Sequence, residues 1–421
     1  MNEQARADGT IEIPPPPPPA RPAAVAFIFL TILLDMMALG LIAPILPKLV
    51  ESFVDNDTAR AARVFGLFGT AWALMQFVFS PILGSLSDRF GRRPVVLLSN
   101  FGLGLDYILM ALAPSLVWLF VGRVISGITS ASMSTAFAYI ADTTPPERRA
   151  AVFGKVGDAF GAGFVLGPAI GGLLGGLDPR LPFWAAAALS LANALYGLLI
   201  LPESLPHDRR SPFRWKSANP IGALHLLRSD RVLAGLSVVN FIAQLAHVVL
   251  PSTFVLYATY RYGWDAATVG LTLATVGICA MAVQGGGVGP IVARLGERGA
   301  LMLGLACGAA GFLIFGVASN GLLFWLGIPV MSLWGVSGAA LQALNTQLVR
   351  PEQQGQLQGA TNSVQSLSQL LGPFLFTLTF AYFIGADAPL RLPGAPFLLA
   401  GALLLASLAI AVHTLSIAPK R

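Results

Sequence analysis

The sequence predicts an all-α membrane protein of twelve transmembrane helices, arranged as two parallel six-helix repeats. Three observations predict it. The 421 residues are 55% hydrophobic, with a mean hydropathy of +0.72, more than a soluble domain carries without exposing large apolar patches. Apolar runs follow one another, each close to the roughly 20 residues a helix needs to cross a bilayer core. Landmarks of the first half then recur in the second at one constant offset. An open sheet would leave its edge unpaired in lipid, and runs this long disfavour a barrel.

In order, the runs are 23–47, 63–86, 94–113, 115–141, 151–176, 181–201, 231–258, 266–291, 299–319, 321–349, 356–384 and 393–415. Before the first lies "IEIPPPPPPA", polyproline that cannot join a helix, with no cleavable signal core; residues 1–22 read as a disordered cytoplasmic tail. Runs one to six form an N-terminal bundle over 23–201. Residues 202–230, the one long connection, read as a cytoplasmic linker, 231–415 as a C-terminal bundle and 416–421 as a second tail. With 45 glycines and 30 prolines, the helices are expected to bend and pack closely.

Placing both termini in the cytoplasm leaves most of the 26 basic residues in cytoplasmic segments, as expected of a multi-pass protein of the inner (plasma) membrane. The net charge of +6 does not indicate nucleic acid, because the basic residues are scattered among loops. Cys279 and Cys307 lie in apolar runs, the histidines form no cluster, and no metal site or cofactor is expected. No phosphate-binding loop is present, so a transporter built from this chain would draw on the proton gradient.

The repeat is gap-free. "GSLSDRFGRR" from Gly84 matches "GPIVARLGER" from Gly289, "PERRAAVFG" from Pro146 matches "PEQQGQLQG" from Pro351, Gly122 meets Gly327, and Gly167-Pro168 meets Gly372-Pro373. An even number of spans per copy keeps both copies in one orientation, and such parallel repeats rock about a central site. On these residues the chain resembles the major facilitator superfamily, whose G-x-x-x-D-R-x-G-R-R signature reads here Gly84, Asp88, Arg89, Gly91, Arg92 and Arg93. "LLDMMALGLIAPILP", "LDYILMALAPS", "GRVISGITSAS" and "IADTT" resemble its tetracycline/proton antiporter branch. So does the antiporter pattern of Gly163, Gly167, Pro168, Gly171 and Gly172 in run five.

Ionisable groups at membrane depth are costly and mark pathways or buried pairs. Asp35 and Asp106 fall near the middle of their runs, Asp106 on one helical face with Gly102 and Ser99. Desolvation there makes the charged carboxylate costly, which suits proton uptake and release; the plain alternative is pairing with a buried donor. Arg123 is followed at helical spacing by Ser126, Gly127 and Ser130, which leave room for its side chain. The resemblance implicates it in proton transfer, with Asp158 as a candidate neighbour unless Asp158 pairs with Lys155 one turn earlier.

The resemblance also implies a cytoplasmic gate, in which Asp88 meets a helix N-terminus of the other half and Arg92 reaches Asp142. The basic residues of this loop also serve orientation, but Asp88 adds nothing to that. The glycine-proline pair implies a hinge or proton seal, beside the plain reading of the glycines at every fourth position as a packing stripe. Asn240, His247, Gln284, Gln365 and Gln369 are candidate cavity-lining residues or helix-to-helix hydrogen-bonding groups. Tetracycline exporters carry an acid in span nine and a histidine in span eight; here Gly308 and Ala280 stand there.

The expected function is proton-driven export of tetracycline-like or other amphiphilic drugs by a monomer. Import of a nutrient on the same fold is the alternative. A receptor or enzyme lacks both a sizeable soluble domain and a catalytic constellation.

Overall fold

The computed structural model describes residues 22–129, 132–144, 146–207, 210, 226–227, 230–350 and 353–417. The proline-rich tail, most of the linker, Ser130 and the last four residues lie outside them. Among the described residues every regular element is a helix, and ten helical segments are long and apolar enough to cross a membrane.

The first eight helices are α1 (Pro22–Ile42), α2 (Leu46–Ser52), α3 (Thr58–Phe90), α4 (Arg92–Leu112), α5 (Leu116–Thr129), α6 (Ser132–Thr143), α7 (Pro146–Leu177) and α8 (Leu181–Ile200). They are followed by α9 (Arg231–His247), α10 (Val249–Tyr262), α11 (Ala266–Ala282), α12 (Val288–Val317), α13 (Gly321–Ser332), α14 (Gly335–Gln347), α15 (Gln354–Ile384) and α16 (Ala395–Ile417). Several extend past the apolar runs, α3 beginning at Thr58 and ending at Phe90, because capped, polar helix ends stand in the interface.

Short polar side chains set those ends. Asp57 accepts from the backbone N–H groups of Ala59 and Arg60, Asp230 from those of Val232 and Leu233, and Asn320 from that of Leu323, each satisfying donors that a helix start leaves open. Asp265 caps α11 through Thr268 N–H; the Thr268 hydroxyl and N–H hold its carboxyl below the ordinary carboxylate range. Gly91 separates α3 from α4 at φ 107°, and Gly296, 205 positions later, breaks α12 at φ 68°. Only glycine adopts such angles without strain.

Close backbone approach dominates the packing. α7 lies along α1: a side chain at Gly167 would stand 2.7 Å from the Met37 carbonyl oxygen and 2.8 Å from Gly40 Cα, and one at Gly171 would strike the Leu41 carbonyl. Gly172, on another face of α7, abuts Ala266 and Gly270 of α11. The first eight helices therefore meet the last eight along α7–α11 and, likewise, along α3–α15, where Gly66 and Gly69 fit against Thr377 and Pro373.

These contacts gather at one end of the bundle, where Lys48 Nζ donates to the Trp264 carbonyl at 3.0 Å. Toward the opposite end, side chains at Gly84, Gly157, Gly289 and Gly338 would meet nothing within 4 Å. The contacts between the earlier and later helices named here thus lie toward the Lys48 end, opposite the end that carries Gly91.

A matched pair on α7 tests the stripe. Gly171→Val is expected to lower the thermal midpoint of the purified protein, overpacking of this kind costing about 1–3 kcal/mol. Gly176→Val, where a side chain meets nothing within 4 Å, is expected to leave it unchanged in the same melting assay.

Candidate functional site

Two separate groups of polar side chains sit among the helices. In the first, Arg123 on α5 faces Asp106 on α4, with Arg123 Nη2 3.8 Å from Asp106 Oδ2. Asp106 is 1% exposed and Arg123 7%. Removing either partner of so deeply buried a pair would strand the other charge. Arg123 Nη2 also donates to Met110 Sδ at 3.3 Å, and Ser126, one turn further on, lies close to Asp106. Gly122 provides the space: a side chain there would stand 2.8 Å from both Asp106 Oδ1 and Met110 Cγ.

Asp35, on α1, is 7% exposed and accepts a hydrogen bond from Asn193 Nδ2 on α8 at 3.1 Å. The same amide donates to the Thr31 carbonyl at 3.3 Å. Tyr107, 2% exposed on α4, lies within electrostatic reach of Arg123, Asp106 and Asp35. Asp158 does not join them. It is exposed on α7 and makes no ion pair with Arg123 or Lys155 among the described residues, because α7 packs on α1 and α11 whereas Arg123 turns from α5 toward α4.

The loop between α3 and α4 is a compact polar cluster. Arg92 Nε donates to Asp142 Oδ2 at 3.0 Å, and its Nη1 donates to Asp88 and to Ser87 Oγ. Among the described residues Asp88 therefore pairs with Arg92 of its own segment, and no hydrogen bond to a helix N-terminus of the later helices is present. Arg93 donates to the Leu198 carbonyl, and Arg89 lies over the Phe90 ring. A further residue holds the loop in place: Glu203 accepts from the backbone N–H groups of Arg92 at 2.8 Å and Arg93 at 3.3 Å, at the start of α4. It also packs where a Gly91 side chain would project.

The second group lies in the later helices, around a cavity of about 240 Å³. Asn240, Gln244 and His247 face it from α9, Gln284 from a π turn (Val283–Gly287) after α11, and Ser332, Trp334 and Ser337 from the α13–α14 junction. Ala280 also lines it, while Gln365 and Gln369 on α15 do not. Gly308 sits behind the wall; a side chain there would stand 2.8 Å from Trp334 Cγ.

The residues missed in the sequence had faint signals. Asn193 is a lone amide in an apolar run, Glu203 is the first acid after that run, and Tyr107 and Met110 resemble ordinary core.

A sequence model of the Major Facilitator Superfamily matches residues 28–373. The chain belongs to this superfamily. Among its relatives, the class C tetracycline resistance protein of Escherichia coli is 40% identical over 354 residues, covering 83% of this chain and 88% of that protein. The class B protein of Escherichia coli is 35% identical over 351 residues, covering 83% and 86%. The crystal structure of the human organic anion transporter MFSD10 superposes with a TM-score of 0.69 at 25% identity, covering 94% of this chain and all of that one. That of the nucleoside transporter NupG gives 0.76 at 11% identity, covering 94% and 100%, a likeness of fold alone.

In this superfamily member the signature loop thus depends on Glu203 as well as on its own charges. Glu203→Ala removes the acceptor at the start of α4 and is expected to destabilise the protein by about 1 kcal/mol, as for a lost helix cap. Glu203→Gln, which keeps one acceptor oxygen, is expected to lose less; the thermal midpoints of the two variants check the order.

Proposed function

We propose that the chain is a proton-coupled antiporter that exports tetracycline-like or other amphiphilic drugs across the inner membrane by alternating access. The observation that carries this reading is the buried Asp106–Arg123 pair, with Asp35 on Asn193 nearby, at a depth where ionisable groups persist only if paired or functional. Kinship with the tetracycline resistance proteins supports the drug class.

We read twelve crossings, which the helices described support. The segment Ala266–Val317 is long enough for two crossings and breaks at Gly296, and α5 with α6 together supply one more. Residues 23–201 and 231–415 are the two parallel bundles and 202–230 their linker. Support comes from Gly91 and Gly296 sharing positive φ, from Pro168 and Pro373 lying inside α7 and α15, and from the counterpart contacts α7–α11 and α3–α15. With both termini cytoplasmic, the end that carries Gly91 faces the cytoplasm and the Lys48 end faces outward.

In this state Asp106 faces Arg123 at 3.8 Å. A proton arriving at Asp106 neutralises the carboxylate, frees Arg123, which does not deprotonate, and changes the balance between the inward-open and outward-open arrangements. Asp35 is the second protonatable group. α7 transmits the change, since Gly163 rests on Leu33 and Met36, which flank Asp35. At the cytoplasmic end Asp88, Arg92 and Asp142 form the gate. In the outward-open state Asp88 exchanges its own loop for a helix N-terminus of the other bundle, and contacts of about 1 kcal/mol bias such an equilibrium without locking it.

Everted membrane vesicles test the reading. Tetracycline uptake is expected to rise with an imposed proton gradient and to fall by about tenfold or more in Asp106→Asn and Arg123→Ala, as for loss of a group essential to proton transfer. Uptake indifferent to the gradient, or unchanged in both variants, refutes it.

A further inference from the structure

We propose that the cavity among α9, α11 and α14 is the cargo site, and that it takes a planar polycyclic molecule without a bound metal ion, not a divalent-cation chelate. This rests on the transport reading above, and names the substrate class of that activity.

Three departures from regular α-helix converge on the cavity. α9 passes into α10 through a tightened turn at Val248, α11 into the π turn Val283–Gly287, and α13 into α14 through a tightened turn at Leu333–Trp334, the two tightened turns staying right-handed helical. π turns collect at functional sites. Each of the three carries one of the wall residues His247, Gln284 and Trp334.

The chemistry of the wall selects the ligand. Trp334 and His247 lie with ring centroids 5.3 Å apart at 52°, and Phe312 backs the indole edge-on at 5.8 Å, leaving aromatic surface for a flat ring system. Asn240, Gln244 and Gln284 supply amide donors and acceptors that suit hydroxyl and carbonyl edges. The lining contains no Asp, Glu, Lys or Arg. A hard divalent cation calls for carboxylate oxygens, and among the described residues none lines this cavity. Ala280 presents only a methyl group, and Trp334 fills the space in front of Gly308. Cargo and proton therefore do not share a carboxylate: the protonatable groups belong to α1 and α4, and the two sites communicate through the tilting of the helices.

Equilibrium binding of tritiated tetracycline to the purified full-length protein tests this, in EDTA and in magnesium. The expected result is the same affinity in both media, with Trp334→Ala weakening binding by about tenfold and Trp334→Phe by less. If Trp334→Ala does not fold, Asn240→Leu and Gln284→Leu take its place, each expected to weaken binding about fivefold. Gln284→Glu, which places a carboxylate in the wall, is expected to make binding strengthen with magnesium. Binding that disappears in EDTA, that is absent in both media, or that is unaffected by the wall variants overturns the assignment. Gradient-driven uptake with magnesium-dependent binding overturns the assignment alone; EDTA-resistant binding through Trp334 without gradient-driven uptake overturns the transport reading alone.

Discussion

A carboxylate and a guanidinium, almost wholly buried and 3.8 Å apart, set the terms for the first eight helices. Neither charge can be left alone in hydrocarbon, so the surroundings are built to hold both. Gly122 gives up its side chain to make room, Met110 offers its sulfur to Arg123, and Ser126 stands beside Asp106. α4 must then lie against α5 for the pair and against α8 for packing, while α8 supplies the Asn193 amide to Asp35. The charges thus fix which helices are neighbours.

A second constraint comes from the glycines. Helices in lipid gain nothing from burying apolar side chains against one another, so association depends on closeness and shape. α7 meets α1 on one face and α11 on another with little more than backbone between them. Such a smooth surface permits tilting without interlocked side chains to unpick. At the end that carries Gly91 the contacts described are polar ones among the earlier helices, and on the proposed reading a proton arriving at Asp106 shifts the whole arrangement.

Charge is distributed unevenly. The buried ionisable pair lies in the earlier helices, whereas the cavity in the later ones is walled by amides, hydroxyls and aromatic rings. On the proposed assignment, coupling is mechanical. Cargo and proton occupy different bundles, and each biases the same two-state packing by favouring one arrangement over the other.

The membrane-spanning helical character, the doubled landmarks and the costly residues Asp35, Asp106 and Arg123 were legible in the sequence, because lipid penalises each departure from an apolar run individually. Which helix faces which was not: periodicity places Asp106 on a face of α4 but does not say that Arg123 occupies the opposing face of α5. For the same reason Asp158 reads as a neighbour of Arg123 in one dimension and stands apart from it in three. Asn193, Glu203 and the convergence of His247, Gln284 and Trp334 depend on contacts between segments far apart in the chain. The sequence by itself determined the solvent this chain folds in and the charges it must shelter; only the tertiary structure decided who shelters them, since pairing inside a bilayer is a matter of helix azimuth and distance.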